Sequence, residues 1–183
     1  MRILAISGSL RSGSHNTELL RLAAAAAPDG VQLELYDGLK EIPAYDADDD
    51  EPGDQPTAAA RLKDAIAEAD AVLFATPEYN SSVPGFLKNA LDWVSRPLLE
   101  SPLRNKPVAV LSSSTGMFGA VWAQAELKKV LGAIGARVLD DAVTVSKAHE
   151  RLVGEPDAAL LDELRDVVDA LGAAVEARVA AAA

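Results

Sequence analysis

Residues 2–27, RILAISGSLRSGSHNTELLRLAAAAA, pass from an apolar run through a small polar loop into a leucine- and alanine-rich stretch. Arg2 to Ser7 read as a strand, Gly8 to Thr17 as the loop after it, and Asn16 to Ala27 as a helix. This unit recurs. Val31 to Tyr36, Ala71 to Thr76, Val108 to Ser112 and Arg137 to Val145 read as further strands, and several are apolar throughout, as strands covered on both faces must be. Thr57 to Ala69, Gly85 to Ser95, Gly119 to Ile134 and Asp157 to about Val179 read as helices. Strands alternating with helices of this length specify an α/β fold with a parallel sheet and helices on both faces.

Five such units favour the three-layer, flavodoxin-like arrangement, a five-stranded parallel sheet in the order 2-1-3-4-5, over a six-stranded dinucleotide-binding sheet. We expect one domain over residues 1–183, with no internal repeat. The chain has no cysteine, which removes disulfides, thiolate metal sites and thiol nucleophiles. Its apolar runs are short and no signal pattern opens it, so a cytoplasmic location is expected. A net charge of -11 argues against nucleic-acid and anionic membrane partners. The one linker-like segment, YDADDDEPGDQP (45–56), is acidic but lacks a calcium-loop pattern, so it reads as a solvated loop with no metal.

In an open parallel sheet, ligands bind beyond the carboxyl ends of the strands. Three segments fall there: Gly8 to Thr17, Pro77 to Pro84 and Ser113 to Gly119. The first holds Ser9, Arg11, Ser14, Asn16 and Thr17, and the positive end of the following helix points at it. Gly8 and Gly13 have triphosphate-loop spacing, but Ser14 stands where that loop needs lysine. The glycine triplet of a dinucleotide loop is missing too, so the loop suits a single terminal phosphate. It also reads as a polar connection in which serine or asparagine caps the helix. In the second segment two prolines fix the backbone around Glu78, Tyr79, Asn80, Ser81 and Ser82, as suits the edge of a flat heterocycle, although an ordinary turn has the same look. The third, SSSTGMFG, adds hydroxyls and two glycines. His15 lies in the first loop, where it reads either as an aid to phosphate binding or, the reading we favour, as an exposed turn residue; His149 has no motif around it, and no nucleophile elbow is present. In PGFLKNALDWVSR, a stripe through Leu87, Ala90, Leu91 and Val94 faces the core, and a second through Phe86 and Trp93 suits either another subunit or a broad core face.

Taken jointly, GSLRSGSHN, IPAYDAD, PEYNSSVPGFLKNALDW and SSSTG resemble the NAD(P)H-dependent FMN reductase family, which includes bacterial quinone and chromate reductases. The resemblance implies bound FMN, NADPH or NADH as cosubstrate, and a homodimer or homotetramer with the flavin near a subunit interface. It assigns Ser9, Arg11, Ser14, Asn16 and Thr17 to the FMN phosphate, and Pro77, Glu78, Tyr79 and Asn80 to the isoalloxazine ring. Ser113 joins them from the third loop, with Gly116 shaping its turn. No side chain is implied to be catalytic: the flavin N5 carries the hydride in a ping-pong cycle that reduces quinones, flavins or similar small acceptors. One departure stands out, because Gly119, Ala120, Val121 and Trp122 occupy the place where the family often has a glycine pair and then an arginine. A flavodoxin-type electron carrier, and a flavin-free regulatory or scaffold protein of the same fold, are the rival readings.

Overall fold

The computed structural model of the chain describes residues 1–51, 54–155 and 157–181. Its strands are β1 (Arg2–Ser7), β2 (Gln32–Leu35), β3 (Ala71–Thr76), β4 (Pro107–Ser113), β5 (Arg137–Val138) and β6 (Thr144–Val145). All pair in parallel in the order β2-β1-β3-β4-β5, with β6 also on β4. The helices are α1 (His15–Ala26), α2 (Thr57–Glu68), α3 (Gly85–Val94), α4 (Val121–Ile134), α5 (Ala148–Arg151) and α6 (Ala158–Ala180).

The apolar strands divide their side chains between two cores. Leu4, Ile6, Val72, Phe74, Val108 and Val110 face one side, where Leu62, Ile66, Leu87, Leu91, Leu127 and Leu131 from α2, α3 and α4 meet them. Ile3, Ala5, Leu73, Ala75, Ala109 and Leu111 face the other, under Leu19, Leu20, Leu160, Leu164 and Val168 from α1 and α6. Period-two alternation on a doubly covered sheet accounts for strands that look apolar at every position.

The fifth strand departs from expectation. The run from Arg137 to Val145 is not continuous: Pro107 pairs with Arg137, thirty residues on, whereas Ser112 pairs with Thr144, thirty-two on. Two residues are therefore looped out around the low-propensity pair Asp140-Asp141. The buried amide of Gln124 fills the gap, its Nε2 lying 3.2 Å from the carbonyl oxygens of both Val110 and Val143. Helix α4 starts two residues later than its pattern predicts, because Gly119 and Ala120 adopt left-handed backbone (φ 60° and 69°). At Gly119 only glycine fits, since a Cβ would meet Thr144 Cγ2 at 2.5 Å. The short α5 went unanticipated.

The second stripe of α3 faces the protein's own chain. Trp93 is fully buried, donates its indole N–H to the Pro43 carbonyl at 3.0 Å, and meets Tyr45 edge-on at 4.9 Å between ring centroids. The acidic segment is likewise tied down, for Lys63 Nζ lies 3.7 Å from Asp50 Oδ1 and donates to Gln55 Oε1 at 3.0 Å. Pro52 and Gly53 of that segment lie outside the described residues.

At the edge of the sheet remote from the three loops, Lys106 is 6% exposed and its ammonium donates to the Ala67 and Ala69 carbonyls, at the negative end of α2. Burial, with Arg178 nearby and Asp70 partly opposing, pushes its pKa down to about 8 from 10.5. Between those limits the unfolded chain keeps a proton that the folded chain has released, so rising pH favours folding. Urea unfolding from about pH 8 to 10 should show the stability of the wild type growing relative to Lys106→Met; parallel pH profiles would remove Lys106 as the cause.

Candidate active site

β1, β3 and β4 are neighbours, so the segments after them converge beyond one edge of the sheet. They line an open cleft of about 190 Å³. The first segment lines it with Ser9, Arg11, Ser14, His15 and Asn16, the second with Pro77, Glu78 and Tyr79, and the third with Ser113, Ser114 and Thr115. Thr17, Asn80 and Gly116 stand outside the lining. Ser114 and Thr115 are the additions that sequence reasoning missed, and His15, which reads first as a turn residue and second as an aid to the phosphate loop, joins them. The serine and threonine lie in a recognised loop, where no local signal separates them from their neighbours.

The first loop is held close to the sheet, with the Gly8 N–H donating to Ala75 O at 2.7 Å. A Cβ on Gly8 would meet Leu87 Cδ2 at 2.8 Å and crowd the Ala75 carbonyl at 3.2 Å, so a side chain there would force Leu87 to shift. Ser14 caps α1, its Oγ accepting from the Thr17 N–H at 3.1 Å, and the Thr17 hydroxyl shares a hydrogen bond with Ser7 Oγ at 2.8 Å. Both hydroxyls are thus engaged within the protein. Among the described residues, no backbone N–H from Ser9 to Asn16 donates to a protein acceptor, and the Arg11 guanidinium has no ion pair. This is a nest of free donors beside a helix N-terminus and a free cation.

Asn16 is buried and bonds reciprocally with Ser113, Nδ2 donating to the Ser113 carbonyl and Oδ1 accepting from its N–H, both at 3.0 Å. It clamps the first loop to the third. The Ser113 hydroxyl, by contrast, is buried without a partner on the cleft wall, and an orphaned donor there suits a polar ligand. Ser114 Oγ accepts from the Gly116 N–H at 2.9 Å, and the Gly116 carbonyl accepts from the Lys147 N–H at 3.0 Å, so Gly116 fixes the third loop from behind.

The second loop closes in a tight turn, Tyr79 and Ser82 exchanging backbone hydrogen bonds at 3.0 and 3.1 Å, with Asn80 and Ser81 both at positive φ (53° and 60°). Glu78 Oε2 accepts from the N–H groups of Trp122 and Ala123, both at 3.1 Å, and so caps α4 from another loop. Glu126 of α4 answers by accepting from the Val83 N–H at 3.4 Å. Because the Trp122 backbone makes this contact, the clamp does not depend on the side chain at that position. The side chain of Trp122 is 49% exposed and stacks edge-on with Phe118 at 5.0 Å. In the cleft, burial, then Arg11 and His149, hold the His15 imidazole below the ordinary histidine value.

The sequence model of NADPH-dependent FMN reductases matches residues 1–150 of the chain. The chain belongs to that family. An NAD(P)H-dependent FMN reductase of Pseudomonas aeruginosa is 40% identical over 168 residues, covering 92% of this chain and 89% of that protein. A quinone reductase of Escherichia coli is 39% identical over 140 residues, 76% of this chain and 74% of that protein. Among solved structures, the flavoenzyme NAD(P)H:acceptor oxidoreductase FerB of Paracoccus denitrificans superposes with a TM-score of 0.80 at 31% identity, over 97% of this chain and 98% of that one. Membership of this family makes the chain an oxidoreductase on the flavodoxin-like fold that its strand order displays.

The Asn16–Ser113 clamp carries a stability prediction. Asn16→Ala strands a buried N–H and a buried carbonyl on Ser113, each costing about 1–3 kcal/mol. Urea denaturation should show a loss of at least about 2 kcal/mol, whereas a loss within about 0.5 kcal/mol, the scale of a neutral surface change, would show that the clamp is dispensable.

Proposed function

We propose that the chain is an FMN-dependent NAD(P)H oxidoreductase, one domain over residues 1–183, that reduces quinones, flavins or similar small acceptors in the cytoplasm. The observation that carries this reading is the run of unpaired N–H groups from Ser9 to Asn16 beside the free Arg11, a subsite for one terminal phosphate. Arg11, Ser9 and the loop amides would hold that phosphate. The orphaned Ser113 hydroxyl and the loop around Pro77, Glu78, Tyr79 and Asn80 would hold the ring, with Ser14, Asn16, Thr17 and Gly116 fixing the loops that carry the donors. When bound, FMN supplies the hydride and electron chemistry through its ring.

The protein's part is to bind and orient. Glu78 Oε2 accepts from two N–H groups of α4, so the side chain braces the second loop against that helix. Its role is to fix the loop. With a single cleft among the three loops, nicotinamide and acceptor take turns in it, which corresponds to a ping-pong order. Tyr79, Met117, Phe118, Val121 and Trp122 are exposed apolar side chains on the second and third loops and the start of α4, and they support a homodimer built across this side.

Purified protein supplied with FMN, NADPH or NADH, and a benzoquinone should turn over well above free FMN, with parallel double-reciprocal lines. Binding of FMN without turnover would instead identify an electron carrier. Arg11→Ala should weaken FMN binding by about 1.5–3 kcal/mol, or about ten- to 150-fold in Kd, and unchanged affinity would remove Arg11 from the site.

A further inference from the structure

The phosphate end of the cleft holds a second base. His15 opens α1 directly after the Ser14 cap and lines the cleft with Arg11 and Ser9. It is half-buried, and among the described residues its imidazole makes no hydrogen bond. In a chain of net charge -11, basic groups gather here: Arg11 from the loop and His149 from α5 both act on His15. The acids nearby are engaged elsewhere. Glu18, one turn along α1, pairs with Arg21 at 3.1 Å, and Glu150 lies 3.5 Å from His149. On the facing wall stand Tyr79 and Glu78, the latter committed to α4. The 1%-exposed Ser113, with its unpartnered hydroxyl, lines the same cleft. Burial and the neighbouring Arg11 disfavour the imidazolium, so an arriving anion finds both a vacant donor and a base it can charge.

We propose that His15 joins Arg11 as a second cation for the terminal phosphate, and that its imidazole takes up a solvent proton when the phosphate binds, so that FMN is held more tightly as pH falls through neutrality. The inference rests on the FMN reading above. The neutral ring and one proton become an imidazolium facing the phosphate oxygens, and no other group changes charge. In the free protein burial, Arg11 and His149 oppose that protonation, whereas a bound dianion favours it. By linkage, each unit by which binding raises the His15 titration tightens FMN about tenfold on the acid side and leaves the alkaline side unchanged. The phosphate's own second ionisation, near pH 6, acts in the opposite direction, so the effect is read as a difference between proteins.

Apoprotein is titrated with FMN and with riboflavin, which lacks the phosphate, at about pH 6 and about pH 8.5 in wild type and His15→Gln. The wild type should bind FMN at least about threefold more tightly than the variant at the lower pH and equally, within experimental scatter, at the higher, with riboflavin indifferent to both. Independently of the variant's folding, NMR of the two imidazoles in the wild type should place the His15 titration at least about one unit higher with FMN bound than without. If FMN binds and His15 titrates unchanged, or the affinity ratio is the same at both pH values, the proposal is overturned and the FMN reading stands. If neither flavin binds, both fall.

Discussion

The reciprocal pair between the Asn16 amide and the Ser113 backbone is the contact on which the geometry of the cleft depends. β3 runs between β1 and β4, so the first and third loops do not adjoin through the ladder and must be joined by a side chain. An asparagine offers one donor and one acceptor in a plane, the complement of a residue's own N–H and C=O. Buried, the pair is insulated from water and expensive to open. The second loop is fastened by a different device, with Glu78 on the N-terminus of α4 and Glu126 returning from α4 to Val83. The three loops are therefore cross-braced through polar side chains that sequence alone presents as ligands.

That substitution explains what could be read in advance and what could not. Strand order and the two-sided core follow from period-two alternation and strand–helix succession, and both are properties of runs of residues. The location of the cleft follows from topology, and its loops are rich in small polar groups for a reason. Which of those groups face inward is decided by hydrogen bonds over long sequence separations: Ser14 turns to the Thr17 N–H, Thr17 to Ser7, Asn16 to Ser113. No local pattern distinguishes a hydroxyl that caps from one that waits for a ligand. Trp93 raised the same difficulty in apolar form, since its cover, Pro43 and Tyr45, lies some fifty residues upstream in the chain.

Electrostatics divide the molecule along the strands. The chain is strongly acidic, yet the mouth of the sheet gathers Arg11 and the backbone donors of the first loop, while the opposite edge buries Lys106 against the carbonyls of α2. Each positive group sits where backbone dipoles differ: free N–H groups add to Arg11, and carbonyls compensate Lys106. Net charge thus says little about the ligand, because a local field from oriented amides can oppose the sum of the surface charges.

The two residues looped out between β5 and β6 have a bearing on how the cleft is adjusted. Ser114 takes its place from its N–H bond to the Val145 carbonyl, and Val145 belongs to the short β6 that follows the slip. Gln124 supplies from a helix the hydrogen bonds that an unbroken strand would have supplied from its backbone. The interruption beside β4 is thus bridged by a side chain, and the start of the third loop is set by where β6 docks rather than by the register of β5.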